Sequence, residues 1–259
     1  MPILARPGGY ISYTSVGSGG PPLLLTHGYG ATSAMFAANV AAIGGAYQVL
    51  TWDILGHGGS DYPTDPAAYG AAAAIGDMTA LLDQFAIERA VLGGHSLGGY
   101  LSLDYALTYP DRVCGLVLIG TGPGFRNDAA RNDWNRWAED RATRLEQQGL
   151  AAIRGSAELH ADEHRDATGL IMAARGTLTQ QDSHVLDGLP SISAPTLIVV
   201  GADDAPFLGA ADYMAAKIPG ARKVTIPAAG HAPNIDQPEK FDSELRAFLD
   251  EVAAMEAAS

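Results

Sequence analysis

The chain has 259 residues, 47% of them hydrophobic, one cysteine and a formal net charge of −13. This length and apolar content suit one large α/β domain carrying an insertion, while the acidity opposes binding to a nucleic-acid backbone and a lone Cys114 forbids an intramolecular disulfide. Apolar runs such as residues 196–200 fall far short of a membrane span, and residues 1–7 lack the apolar stretch and cleavage site of a signal peptide, so a cytoplasmic protein with no membrane partner is expected.

In chain order, apolar runs at residues 10–16, 22–26, 48–52, 89–93, 113–119, 196–200 and 223–226 read as strands. Most are β-branched or Leu-rich without alternation, the pattern of strands covered on both faces. From Pro22 onward helical stretches separate them, which predicts a parallel sheet with right-handed crossovers and a site at the C-terminal ends of its strands. Cys114 heads the 113–119 run and reads as a small buried hydrophobe. The rhythm breaks at residues 122–190, where helical-looking segments at 128–148, 149–164 and 168–174 occur without a strand. The expected organisation is therefore a core of residues 1–121 and 191–259 with a helical cap of residues 122–190 inserted into it. Arg far exceeds Lys, which occurs only at 217, 223 and 240; with the abundant Ala and Gly, this fits a GC-rich bacterial genome.

The most informative stretch is Gly94-His95-Ser96-Leu97-Gly98, between the 89–93 run and a helical pattern. A Ser at that junction sits on a tight strand-to-helix turn, and a Cβ at either glycine would clash. A Ser hydroxyl needs a base within hydrogen-bond reach and a third group to set that base's tautomer. His231, in a loop soon after the 223–226 run, is the best candidate base. Gly201-Ala202-Asp203-Asp204 follows the 196–200 run and supplies the acid, with Asp204 preferred over Asp203 and Asp236 a weaker, surface candidate. Leu97 N–H, at a helix N-terminus, is one expected oxyanion donor. The loop His27-Gly28-Tyr29-Gly30 after the 22–26 run offers Tyr29 N–H as the second. His27 itself reads as a hydrogen-bonder that orients this loop.

With these residues in place the chain resembles the α/β-hydrolase superfamily across nearly its whole length. The matching motifs are His27-Gly28-Tyr29-Gly30, Asp53-Ile54-Leu55-Gly56-His57-Gly58-Gly59-Ser60, Gly94 to Gly98, Gly201 to Asp204 and Gly230-His231, in the order Ser, Asp, His. The resemblance implies an eight-stranded, mostly parallel sheet, a cap over the site, and hydrolysis through an acyl-enzyme without metal or organic cofactor. It also implies that residues 53–60 form a structural turn. Ser96 stands where epoxide hydrolase and haloalkane dehalogenase relatives carry Asp, and His95 where carbon–carbon hydrolases often carry Asn. The esterase or lactonase branch, acting on a small-molecule ester, is the reading preferred here. A slow-hydrolysing ligand receptor, or carbon–carbon, lyase or perhydrolase chemistry on the same residues, stands as the alternative.

Candidate pocket residues are Met35, Phe36, Phe125, Trp134, Trp137, Phe207 and Leu208, each with ordinary packing as its competing reading. The Trp pair at i, i+3 would share a helix face. His160-Ala161-Asp162-Glu163-His164 matches an H-x-x-E-H zinc pattern that would set two imidazoles at i, i+4. Its charged surroundings and the lack of a third ligand favour a solvated cap helix, and no metal is expected.

Overall fold

A computed structural model describes residues 1–153 and 155–258. Among these, eight strands form one sheet: β1 (Ile3–Arg6), β2 (Gly9–Val16), β3 (Leu23–Thr26), β4 (Val49–Trp52), β5 (Ala90–His95), β6 (Val113–Ile119), β7 (Thr196–Gly201) and β8 (Arg222–Ile226). The helices are α1 (Ala37–Ile43), α2 (Ala71–Gln84), α3 (Leu97–Thr108), α4 (Asp128–Gln148), α5 (Thr168–Arg175), α6 (His184–Gly188), α7 (Ala205–Lys217), α8 (Pro233–Asp236) and α9 (Pro238–Ala257). The strand order is β1-β2-β4-β3-β5-β6-β7-β8. The β1–β2 and β2–β4 pairs are antiparallel and every later pair is parallel.

The strand sequences explain the layering. Successive side chains of a strand point to opposite faces, so an unbroken apolar run must be covered on both. Leu24, Leu92, Leu116, Leu118 and Ile198 join one cluster with residues of α2 and α3, such as Met78 and Leu101. Their neighbours Leu23, Leu25, Val91, Val117 and Val199 join the other, with Ile43 of α1 and Phe241 and Leu245 of α9. Cys114 is buried in this second cluster, and burial pushes its thiol up to about 11.

The seven expected strands are present with ends shifted by a residue or two. β1 is an addition: it is a short edge strand whose residues alternate between exposed and half-buried, so it carries little apolar signal. Between β6 and β7 the described residues form helices and turns only. The helices at 128–148 and 168–174 occur nearly as expected, but the one at 149–164 does not. Gly149 ends α4 in the left-handed region, at φ 59°, and only the short 3-10 turns Gly149–Ala152 and Ala161–Glu163 follow. No helix among the described residues is long and apolar enough to cross a membrane.

Candidate active site

The turn from β5 into α3 holds Ser96 at φ 50°, ψ −112°, a conformation that non-glycine residues rarely adopt. Its glycines are sterically required. A Cβ on Gly94 would come within 2.1 Å of the Gly98 carbonyl carbon, and one on Gly98 within 2.1 Å of the Thr26 carbonyl oxygen. The elbow is therefore wedged against the end of β3. Ser96 N–H donates to Ile119 O at 2.8 Å, and the Thr121 hydroxyl donates to Ser96 O at 2.6 Å.

The loop after β3 lies directly against this turn, since a Cβ on Gly28 would stand 3.2 Å from Ser96 Cβ and 2.6 Å from His95 Nδ1. Gly28 thus lets the Tyr29 peptide approach the serine, and Leu97 begins α3 on the other side. His27 is buried and orients the loop: its Nδ1–H donates to Gly28 O at 2.7 Å and its Nε2 accepts from Ile54 N–H at 3.0 Å. Burial lowers its pKa and keeps it neutral in that role. Tyr29 Oη donates to Leu170 O at 2.9 Å, tying the loop to α5.

Residues 53–60 form a tight turn after β4. Asp53 Oδ1 accepts from Ser33 N–H at 2.8 Å and Oδ2 from Gly59 N–H at 2.9 Å. The Ser60 hydroxyl donates to Asp53 O at 2.5 Å. Both Asp53 carboxylate oxygens thus accept from backbone N–H groups, which is what a structural turn needs.

Past β7, Asp204 is buried and its Oδ2 lies 2.9 Å from His231 Nδ1. Asp203 is exposed and only its backbone N–H is used, to Ala229 O at 2.9 Å. Asp236 is exposed and accepts from Gly230 N–H at 2.8 Å, so it braces the His231 loop rather than the imidazole. His95 packs its ring 4.6 Å from that of His231, and its Nε2 lies 3.1 Å from His231 O. Burial, then the neighbouring His231, hold His95 well below the usual histidine pKa.

Of the expected pocket residues, Phe207 stands beside the imidazole, ring centroids 4.7 Å apart, with Leu208 half-buried next to it. Phe125, Trp134 and Trp137 stack on one another at 5.9 and 4.6 Å, and Trp134 Nε1–H donates to Leu178 O at 2.8 Å. Phe125 and Trp137 are 36% exposed, so the stack forms an outer edge of the segment between β6 and β7. Met35 and Phe36 are core residues instead: Phe36 is fully buried and both pack in the cluster with Leu23 and Ile43. The start of the segment after β3 turns inward to cover the sheet, and packing claims their side chains.

The His160–His164 motif also departs from expectation. It is no solvated helix: His160 is exposed, while His164 is buried at the seam with the core. His164 Nδ1 accepts from Gly58 N–H at 3.3 Å and its Nε2–H donates to Gly30 O at 2.9 Å. Thr32 donates to Glu163 beside it. The two imidazoles therefore have separate environments and do not converge.

A cavity of about 40 Å³ beside Tyr29 and Gly30 is walled by Arg141, Leu145, Leu159 and Leu170. A larger groove of about 840 Å³, lined by Tyr69, Tyr100, Asp104, Met172 and His184 among others, includes none of Ser96, Asp204 and His231. One residue near the imidazole carried no sequence signal. Glu158, from the irregular stretch after α4, is 5% exposed and has a carboxylate oxygen within 4.8 Å of a ring nitrogen of both His95 and His231.

Comparison with known proteins places these observations. The model of the alpha/beta hydrolase family matches residues 23–244. A pimeloyl-[acyl-carrier protein] methyl ester esterase of Aromatoleum aromaticum is 30% identical over 248 residues, covering 85% of this chain and 94% of the relative. A thermophilic esterase from Thermogutta terrifontis superposes with a TM-score of 0.79 at 28% identity, over 97% of both chains. The enol-lactonase from Burkholderia xenovorans LB400 does so with a TM-score of 0.81 at 25% identity, over 96% of this chain and all (100%) of the other.

Proposed function

The chain belongs to the alpha/beta hydrolase family, and on that footing we propose that it is a serine hydrolase cleaving a carboxylic ester or lactone of a small to medium apolar substrate through an acyl-enzyme. The observation that carries this reading is the strained Ser96 elbow, whose neighbour His95 packs its ring 4.6 Å from that of His231, a histidine whose Nδ1 is 2.9 Å from a buried carboxylate. Residues 122–190 act in it as the cap over the site.

The chemistry follows from the hydrogen bonds. Asp204 accepts from Nδ1–H of His231, which leaves the Nε2 lone pair free to act as base. Ser96 Oγ attacks the ester carbonyl as Nε2 takes its proton. The oxyanion is held by the backbone N–H groups of Leu97 and Tyr29, both preset by the elbow and by Gly28. His231 then protonates the departing alcohol, and water repeats the sequence to release the acid. His95 stays neutral beside the imidazole because burial opposes its charge, so it adds no repulsion when His231 becomes imidazolium.

Hydrolysis of p-nitrophenyl esters by wild type and Ser96→Ala tests the reading. The wild type is expected to turn over and the variant to lose about 10⁴-fold or more in kcat, keeping only binding and oxyanion stabilisation. A folded wild type without ester turnover, or a variant at the wild-type rate, refutes it; the former result redirects attention to carbon–carbon bond substrates.

A further inference from the structure

Glu158 is 5% exposed as a residue, and its carboxylate makes no hydrogen bond or ion pair among the described residues. Arg141 feels its charge, yet no ion pair joins them. Burying a charge without a partner is costly, and nearby cations relieve that cost. Beside Glu158, His95 Nδ1 is a buried polar atom without a hydrogen-bond partner. A carboxylate oxygen of Glu158 and one ring nitrogen each of His95 and His231 lie within 4.8 Å of one another.

From these observations we infer that Glu158, His95 and His231 form a binding site for a divalent transition-metal ion, zinc above all, which inhibits the enzyme reversibly. Two imidazoles and one carboxylate are a donor set that suits zinc and leaves a fourth position open for water. Three atoms no more than 4.8 Å apart share a point within 4.8/√3, about 2.8 Å, of each. Zinc bonds nitrogen and oxygen at about 2.0–2.2 Å, so movements of under about 1 Å per side chain close the site. The 26% exposure of the His231 side chain gives the ion its entry from solvent. This trio differs from the His160–His164 motif, whose two imidazoles are held apart.

Metal binding here does not depend on the catalytic reading, whereas inhibition rests on His231 being the base of the proposed function. A metal bonded to His231 occupies the lone pair that must accept the Ser96 proton. Calorimetric titration of zinc into tag-free Ser96→Ala protein, which keeps all three ligands, is expected to show one saturable site per chain. Glu158→Gln in that background should weaken binding about tenfold or more. In active enzyme, zinc should suppress ester turnover and a chelator restore it. Glu158→Gln should need about tenfold more zinc for half-inhibition, with each protein's inhibition measured against its own turnover in chelator. No saturable binding to the Ser96→Ala protein, or binding indifferent to Glu158→Gln, overturns the site. Should the wild type lack ester turnover, the proposed function fails while the calorimetry still decides the metal site.

Discussion

At the scale of single residues, the two adjacent acids after β7 show how burial assigns roles. Asp203 and Asp204 differ by one step along the chain, yet one carboxylate faces solvent and the other is 5% exposed against the imidazole. A buried carboxylate is tolerable only with a donor, and His231 Nδ1–H supplies it. An amide in its place can present N–H toward Nδ1 and so favour the opposite tautomer, which leaves no base for Ser96. Asp204→Asn is therefore expected to lower kcat on a p-nitrophenyl ester by about 10⁴-fold, with Asp203→Asn staying within about twofold of wild type. Equal losses in both variants, with circular dichroism showing native folds, would remove Asp204 from the proposed triad. The motif Gly201 to Asp204 narrows the acid to two neighbours, because a strand-end loop presents both. Which of them turns inward depends on the Ala229 carbonyl that receives the Asp203 N–H, and that contact comes from a distant part of the chain.

Among elements, the segment between β6 and β7 is tied to the core by polar contacts as well as by apolar packing. His184 of α6 lies 2.8 Å from Asp104 of α3 and 2.5 Å from Asp182. Burial works against its charge, but the bonds to the two carboxylates outweigh it and raise its pKa above the ordinary 6.5. A group whose folded pKa is raised adds stability that is fully present below the unfolded value and is lost as pH rises through the folded one. His184→Gln should accordingly lower the melting temperature most below pH 6.5, with the gap closing at alkaline pH. Because His184 is half exposed, the effect should not exceed about 1 kcal/mol, or roughly 2–4 °C. Thermal melts of both proteins from acid to alkaline pH check this, and a gap that widens with pH contradicts it. The helices 128–148 and 168–174 were legible because their polar and apolar residues recur at helical spacing. Residues 149–164 lack that recurrence, and Gly149 stops α4. His164 is buried by Gly30 and Gly58, which local sequence cannot announce.

Across the whole molecule, the parallel sheet brings the ends of β3, β5, β7 and β8 to one edge, and the segments that follow them carry Tyr29, Ser96, Asp204 and His231. The region after α4 packs beside that edge and leaves a cavity next to Tyr29 and Gly30, walled by Arg141, Leu145, Leu159 and Leu170. The sequence by itself determined the strand-by-strand rhythm, the elbow at Gly94 to Gly98 and the order Ser, Asp, His. Those depend on steric and hydrophobic preferences acting within a few residues. Tertiary structure alone decided that Asp204 and not Asp203 faces the imidazole, that Met35 and Phe36 belong to the core, that Ile3–Arg6 adds an edge strand, and that Glu158 sits beside His95 and His231. Each of these is a matter of burial or through-space contact between segments remote in sequence, and such contacts exist only once the chain has folded.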